Sequence, residues 1–281
     1  MSTNGILVTG CNGQLGRAMR ARYPGAVAVD IGELDISDAG AVAAFDWSGI
    51  GLVLNAAAYT DVNGAETAAG RPAAWKVNAL AVANLARVAL ARQITLVHVS
   101  TDYVFDGTGA PYAEDAGFSP LSVYGASKAA GDVAAGLVPR LYLLRTSWVI
   151  GDGKNFVRTM LDLARRGVNP AVVSDQIGRP TFTAELVRAL DHLLASRAAF
   201  GTYNVSNGGP PVSWADLTRE IYRQAGLPNT VAEITTADYH ARSSGSAPRP
   251  LGSTLALDKL EATGFAPRDW RQALGEYLAR C

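Results

Sequence analysis

Three glycines at fixed spacing near the start of the chain constrain its fold more than any other feature. The apolar run Ile6–Thr9 is typical of a buried parallel strand, and residues 15–23 have the pattern of a helix. Between them lie Gly10, Gly13 and Gly16, which permit a tight turn and a close approach of the backbone to a pyrophosphate at the helix N-terminus. The segment predicts a doubly wound parallel sheet with a dinucleotide site, and a glycine-rich turn without a ligand is the alternative.

An acidic residue follows the second predicted strand. Residues 26–29 are apolar and end at Asp30, about 20 residues after the first glycine, where dinucleotide folds hold a ribose hydroxyl. A carboxylate here favours NADH because it repels the extra phosphate of NADPH. Arg17, directly after the third glycine, favours NADPH if it contacts that phosphate, or is a solvated helix residue. The choice between NADH and NADPH therefore stays open.

The composition is that of an ordinary globular enzyme. The chain has 281 residues, and its 25 Lys and Arg balance its 25 Asp and Glu, so no basic patch points to nucleic acid. No apolar run approaches the roughly 20 residues needed to span a bilayer. Because the first predicted strand begins at residue 5 or 6, we expect no signal peptide and a cytoplasmic protein. Cys11 and Cys281 indicate neither a disulfide framework nor a metal site.

Strands and helices alternate through the first half of the chain, as a doubly wound α/β fold requires. After about residue 150 this alternation loosens. We predict a dinucleotide-binding domain in residues 1–150 and, in residues 151–281, mainly a smaller, irregular substrate-binding lobe with some segments returning to the first domain. The further strands are predicted at 51–55, 94–100 and 141–145, and the helices at 72–92 and within 120–135.

A tyrosine and a lysine four residues apart are the candidate catalytic pair. On a helix, Tyr124 and Lys128 lie on one face, and a lysine ammonium nearby favours the phenolate and lowers the pKa of the tyrosine. Such a pair also occurs by chance on amphipathic helices. The strand that ends at Ser100 and Thr101 delivers a hydroxyl to the same crevice. This combination predicts carbonyl reduction with a nicotinamide, in which Tyr124 supplies the proton and Thr101 polarises the carbonyl.

Eight blocks, in order along nearly the whole chain, resemble the dTDP-4-dehydrorhamnose reductases, a family of extended short-chain reductases with a Rossmann fold. The segments STDYVF, RTSWV and DQIGRPT are more specific to this family than residues 10–16, which we call the glycine loop. The resemblance implies reduction of the 4-keto group of dTDP-4-dehydro-L-rhamnose with NADPH or NADH. The blocks are residues 10–16 (GCNGQLG), 55–62 (NAAAYTDV), 100–107 (STDYVFDG), 123–128 (VYGASK), 144–149 (LRTSWV), 154–156 (KNF), 175–181 (DQIGRPT) and 249–254 (RPLGST).

The resemblance also implies roles for individual residues. The catalytic trio is Thr101, Tyr124 and Lys128. The substrate contacts are Thr101, Asp102 and Trp148, and Asn155 and Arg249 are expected to reach the sugar or the diphosphate. The cofactor residues are Gly10, Asn12, Gly13, Gln14, Leu15, Gly16, Asp30, Asp35, Ile36, Ala58, Tyr59, Thr60, Val99, Tyr124 and Lys128.

The chain departs from the family pattern at a few positions. Some members bind Mg²⁺ through glutamates at a dimer contact, but Ala18 stands near one of those positions, so the site looks incomplete even if Glu185 matches another. We therefore predict no metal site. Gly252 stands where related chains often carry Asn, which removes one polar contact, and Asn63 replaces a more usual Asp.

Alternative functions follow from the same motifs. A reductase or epimerase of another nucleotide sugar would share the fold and the Tyr/Lys pair. A non-catalytic regulatory subunit of the family is disfavoured because both Tyr124 and Lys128 are present. The expected partner is a dTDP-sugar, without nucleic acid or membrane, and the protein is a monomer or a homodimer.

Overall fold

The computed structural model describes residues 5–242 and 245–281. The strands in these ranges begin and end close to the predicted positions in the first half of the chain. They are β1 (Ile6–Thr9), β2 (Val27–Val29), β3 (Leu52–Asn55), β4 (Thr95–Thr101), β5 (Leu141–Thr146), β6 (Val149–Ile150), β7 (Ala171–Val173), β8 (Ile177–Gly178), β9 (Thr181–Phe182), β10 (Gly201–Asn204), β11 (Val212–Ser213) and β12 (Ala232–Ile234).

Helices alternate with these strands. A π-helical turn, Lys76–Leu80, joins α3 to α4, so that the predicted long helix is continuous but locally widened. No helix among the described residues is both long and apolar enough to cross a membrane. The helices are α1 (Gln14–Arg22), α2 (Ala39–Ala44), α3 (Gly70–Trp75), α4 (Ala81–Arg92), α5 (Val123–Ala135), α6 (Phe156–Arg165), α7 (Thr183–Ser196), α8 (Trp214–Gln224), α9 (Thr236–Arg242), α10 (Asp258–Glu261) and α11 (Trp270–Leu278).

Six parallel strands form the central sheet in the order β10-β5-β4-β3-β1-β2. The chain runs from β1 outward to β2 and then returns to place β3 on the other side of β1. This reversal of strand order opens a crevice at the carboxyl ends of β1 and β3, where ligands of doubly wound sheets bind. The predicted fold class is confirmed.

Helices cover both faces of the sheet, and this explains why Ile6, Leu7 and Val8 of β1 are all apolar. Val8 packs in a cluster with Met19 of α1 and Leu190 of α7. Leu7, the preceding residue, points to the other face and packs in the cluster that contains Leu85 of α4. A strand with two buried faces needs apolar side chains at every position, without alternation.

The second half of the chain is more regular than predicted. Helices α6, α8 and α11 pack around a cluster of their own that contains Leu161, Tyr222 and Trp270. Strand β10 pairs with β5 and so extends the central sheet beyond residue 150. The division of the chain into domains at that residue stays a prediction.

Candidate active site

A cavity of about 700 Å³ lies at the carboxyl ends of the central strands. We call it the main cavity. A smaller one of about 290 Å³, the side cavity, lies next to it and shares Gly13, Ala56 and Ala58 with it. The two together form a cleft that begins at the glycine loop and ends at the second half of the chain.

Most of the predicted site residues line one of these two cavities. The main cavity is lined by Gly13, Gln14, Leu15, Ala58, Thr60, Val99, Thr101, Asp102, Tyr124, Lys128 and Trp148. The side cavity is lined by Gly10, Gly13, Asp30, Asp35, Ile36, Ala58 and Tyr59. Neither lining includes Asn12, Gly16, Asn155 or Arg249.

The glycine loop has the shape that a phosphate site needs. Gly10 has φ +66, and a Cβ there would lie 2.6 Å from the Cα of Ala57. Gly16 is required for packing, since a Cβ on it would lie 2.1 Å from the carbonyl oxygen of Gly10. Helix α1 starts directly after Gly13 without a side-chain cap. Its first amides are therefore suited to an anion such as a pyrophosphate.

Two carboxylates line the side cavity. Asp30 accepts hydrogen bonds from the backbone amides of Asn12 and Ile31, each at 2.9 Å, so the carboxylate also fixes the glycine loop. The hydroxyl and amide of Ser37 hold the pKa of Asp35 below its usual range, and Lys76 lies 3.4 Å away. A negative charge at this end of the cleft is compatible with a ribose diol and disfavours a ribose phosphate.

Helix α5 brings Tyr124 and Lys128 to the main cavity. Its N-cap is Ser122, whose hydroxyl accepts a hydrogen bond from the amide of Gly125 at 3.1 Å. A Cβ on Gly125 would lie 2.2 Å from the carbonyl oxygen of Tyr103, so glycine lets the helix approach the end of β4. The Tyr103 and Tyr124 rings meet edge to face at 5.7 Å.

The pKa shift of Tyr124 is opposite in direction to the one predicted from the sequence. Burial raises the pKa of Tyr124, and a hydrogen bond between its hydroxyl and that of Thr101 opposes this only in part. Burial lowers the pKa of Lys128 to about 8, while the charge of Asp132 raises it. The Lys128 ammonium donates to the carbonyl oxygen of Val99 at 2.7 Å. In this structure desolvation, rather than the lysine, therefore dominates the pKa of Tyr124.

Asp102 is a buried carboxyl beside this pair. Burial raises its pKa to about 7, against the opposing effect of the hydroxyls of Ser253 and Thr101. The Thr101 hydroxyl donates to Asp102 at 3.1 Å and accepts from the amide of Tyr103 at 3.2 Å. A carboxyl with this pKa is close to half protonated at neutral pH, so it can donate or accept a hydrogen bond.

Asn155 and Arg249 lie beside the cavity and are engaged with other protein groups. The Asn155 amide donates to the carbonyl of Gly151 at 2.7 Å and to the Tyr277 hydroxyl at 2.8 Å. Arg249 donates to the side-chain oxygen of Asn63 at 2.9 Å and also reaches the hydroxyl of Tyr103. Their substrate contacts stay predictions.

Residues that the sequence analysis did not place at the substrate also line the main cavity. Trp214 and Phe156 come from the starts of α8 and α6, and Lys154 and Arg17 complete the rim. Trp214 follows a Ser213 N-cap, which predicts a helix start and nothing about a ligand. Only the fold brings it to the cavity.

The chemistry of Glu185 does not fit a magnesium ligand. Its fully buried carboxylate is bonded to Arg188 at 2.5 Å and to Arg268 at 2.9 Å. Two guanidinium groups already neutralise it. Among residues 5–242 and 245–281, no group of three or more His, Cys, Asp or Glu could hold a metal ion.

Comparison with known proteins identifies the family. The model described as RmlD substrate binding domain matches residues 4–281. The dTDP-4-dehydrorhamnose reductase of Aggregatibacter actinomycetemcomitans is 39% identical, over 96% of this chain and 96% of that protein. The dTDP-4-keto-6-deoxy-D-glucose reductase of Streptomyces niveus is 38% identical, over 97% and 96%. The crystal structure of the Bacillus anthracis dTDP-4-dehydrorhamnose reductase in complex with NADP has a TM-score of 0.90 and 31% identity, over 98% of this chain and 99% of that one. The predicted resemblance is confirmed, and the chain belongs to the RmlD substrate binding domain family.

Proposed function

We propose that this protein reduces the 4-keto group of dTDP-4-dehydro-L-rhamnose to give dTDP-L-rhamnose. The observation that carries the proposal is the convergence of Thr101, Tyr124 and Lys128 with Trp148 in one cavity, next to the glycine loop. An acid, a polarising hydroxyl and the proposed site for a nicotinamide then share one cavity with an aromatic residue from the segment after β5.

A reduced nicotinamide, when bound, supplies the hydride to C4. Tyr124 donates its proton to the developing alkoxide, and its raised pKa means that the phenol is protonated at neutral pH. The Thr101 hydroxyl, whose proton points to Asp102 in this structure, orients the carbonyl oxygen by turning that proton toward it. Lys128 is still mostly charged at neutral pH, so it favours the phenolate that is left after the proton transfer.

The cofactor is NADPH or NADH, held by the glycine loop and the side cavity. The relative from Bacillus anthracis binds NADP, which supports a phosphorylated cofactor. Asp30 and Asp35 favour the form without the phosphate. We propose that the protein accepts both cofactors and that Asp30 sets the ratio of kcat/KM for NADPH to that for NADH.

A second candidate substrate is the un-epimerised ketosugar, dTDP-4-dehydro-6-deoxyglucose. The relative from Streptomyces niveus, which is nearly as similar as the rhamnose enzyme, carries the name of a reductase of that sugar. Both sugars present a ketone at C4, so Tyr124 and Thr101 serve either one. Discrimination between the two sugars then depends on the cavity residues that contact the sugar ring.

The test measures oxidation of NADPH and of NADH with each ketosugar, generated enzymatically. A higher kcat/KM for dTDP-4-dehydro-L-rhamnose than for the un-epimerised sugar is the expected result. Turnover of the un-epimerised sugar alone would assign the second function, and turnover of neither would overturn both. The Tyr124→Phe variant is the control for the acid, and we expect its turnover to fall at least about a hundredfold while NADPH still binds. Near-normal turnover of that variant would remove Tyr124 from the mechanism.

A further inference from the structure

Trp148 has a backbone conformation that bulky residues rarely adopt. Its φ is +46, in the left-handed region that favours glycine. Hydrogen bonds on both sides hold the strained segment, since the amide of Thr181 donates to the Trp148 carbonyl at 3.1 Å and the Ser147 hydroxyl donates to the carbonyl of Arg179 at 2.7 Å. A strained residue that the surrounding structure fixes so firmly, in the wall of a ligand cavity, points to a function for its side chain.

One face of the Trp148 indole is covered by a second tryptophan. The rings of Trp148 and Trp214 are stacked, with centroids 3.5 Å apart and planes inclined by 11°. Trp214 is itself supported by Phe156, whose ring lies 4.4 Å away at 53°. At this separation no sugar or base fits between the two indoles.

Gly178 covers part of the other face of the indole. A Cβ built on this glycine would lie 2.7 Å from Cε2, 2.8 Å from Cζ2 and 2.9 Å from Nε1 of Trp148. Near-equal distances to three adjacent ring atoms place Gly178 over the face of the ring. All three of these nearest atoms belong to Trp148, so Gly178 lies on the side away from Trp214. Gly178, the glycine of the segment DQIGRPT, is therefore required for packing, because any side chain at this position would displace the indole.

This sandwich of Trp148 between Trp214 and Gly178 covers one face of the ring and the part of the other face over Cε2, Cζ2 and Nε1. Trp148 and Trp214 line the same cavity as Thr101 and Tyr124. A sugar ring in the cavity therefore has no full open face of Trp148 to stack on and meets the edge of the ring. Because the indole is held from both sides, that edge does not move to accommodate a sugar of different configuration.

We propose that Trp214 and Gly178 are positioning residues that determine which ketosugar is reduced. They hold the edge of the Trp148 ring in one position. This edge sets the depth and tilt of the sugar ring in the cavity, and it therefore determines which isomer places its C4 carbonyl at Tyr124 and Thr101. The two candidate sugars share the C4 ketone and differ in configuration elsewhere on the ring, where they contact this edge. The proposal rests on the proposed function and adds the source of its specificity.

Two variants disturb the sandwich from opposite sides. Trp214→Leu removes the stacked ring, whereas Gly178→Ala pushes a methyl group against the other face. We expect both to raise KM for the preferred sugar and to reduce the ratio of kcat/KM between the two sugars by about tenfold, since misplacement by about 1 Å can cost on the order of a hundredfold. KM for NADPH should not change. Trp75→Leu is the matched control, because Trp75 is an exposed residue of α3 that does not line the cavity.

Circular dichroism provides a second readout. Two indoles at 3.5 Å couple electronically and give an exciton couplet in the far ultraviolet. Trp214→Leu and Trp214→Phe should both abolish the couplet, and Trp75→Leu should retain it. Trp214→Phe keeps an aromatic ring against Trp148, so it should restore much of the sugar discrimination without the couplet. A loss of folding alone would abolish the couplet and the sugar discrimination together.

The outcomes distinguish this proposal from the proposed function. If the wild-type protein reduces neither sugar, the proposed function fails and the positioning role fails with it. If the wild-type protein is active and selective but Trp214→Leu and Gly178→Ala leave the sugar ratio and KM unchanged, only the positioning role is overturned. Should Trp214→Leu fail to fold, Gly178→Ala alone decides the question, because an unchanged sugar ratio and KM in that variant overturn the positioning role.

Discussion

At the scale of single residues, desolvation controls the charges in the main cavity. Lys128 and Asp102 are buried and Tyr124 is half-buried, and in each the direction of the pKa shift is the one that disfavours the charged form. The sequence placed a lysine near a tyrosine, but it contains no information on how much water reaches either group. The direction of such a shift therefore became accessible only with the fold.

Asp102 makes the stability of the protein depend on pH. Its pKa is about 7 in the folded state against 3.8 for an unperturbed aspartate, so the folded state binds the proton more tightly. Its contribution to stability is fully present below about pH 4 and is lost as the pH rises to about 7. Asp102→Asn should therefore stabilise the protein above pH 7, by up to about 4 kcal/mol at roughly 1.4 kcal/mol per pKa unit.

Denaturant unfolding of this variant and of the wild-type protein at pH 5 and pH 8 measures the effect. The difference in the free energy of unfolding between the two proteins should grow between these pH values in favour of the variant. A difference that is the same at both would show that Asp102 ionises normally. Because only the difference between the proteins is used, the other titrating groups cancel.

Asp30 is the residue on which cofactor preference should depend. Asp30→Asn removes the charge but keeps an oxygen that can accept from the Asn12 amide, so the glycine loop stays in place. We expect the ratio of kcat/KM for NADPH to that for NADH to rise by about tenfold, which corresponds to about 1.4 kcal/mol. Asp46→Asn, an exposed carboxylate that does not line the side cavity, is the control. An unchanged ratio would remove Asp30 from the ribose site.

At the scale of secondary-structure elements, the sequence was informative where structure is locally encoded. The first strand was predicted at the observed residues, and α1 and α5 were shifted by only a few positions. Glycines, caps and apolar runs act within one turn or one strand, and so they can be recognised from the sequence alone. The stacking of Trp214 on Trp148 was not predictable, because it joins segments 66 residues apart through packing alone (214 minus 148).

Asn155 illustrates a motif residue with a structural role at the start of an element. It is the N-cap of α6, where its side-chain oxygen accepts from the amide of Arg158 at 3.1 Å, and its amide group binds Tyr277 of α11. Asn155→Ala should lower the free energy of unfolding by about 1–2 kcal/mol through the lost cap alone. Asn155→Ser retains a cap oxygen and should recover part of that loss.

Chemical unfolding of these two variants, together with KM for the sugar, separates the two roles of Asn155. If the residue acts only as a cap and as a link to α11, stability changes and KM does not. A rise in KM in the Ser variant, with little change in stability, would instead place Asn155 at the substrate, as the family resemblance implies.

At the scale of the whole molecule, the two halves of the chain share one of the hydrophobic clusters. Leu186 and Leu190 of α7 and Tyr203 of β10 pack in the same cluster as Met19 and Tyr23 near the first helix. The amide of Gly151 also donates to the side chain of Gln14 in the glycine loop at 2.8 Å. The sequence pattern placed a boundary near residue 150 because it detects changes in regularity, and it predicted that some later segments return to the first domain without identifying β10 as the strand that does so.

This shared cluster predicts that both halves unfold together. Leu190 is fully buried between them, and Leu190→Ala should lower the global free energy of unfolding by about 2–5 kcal/mol. Hydrogen exchange of the amides in β1 and in α11 should then become faster by the same factor, since one opening event exposes both. Leu137→Ala, at an exposed position, should change neither rate. Faster exchange in α11 with unchanged protection of β1 would mean that the halves unfold independently, and the cleft between them would then join two separately stable units.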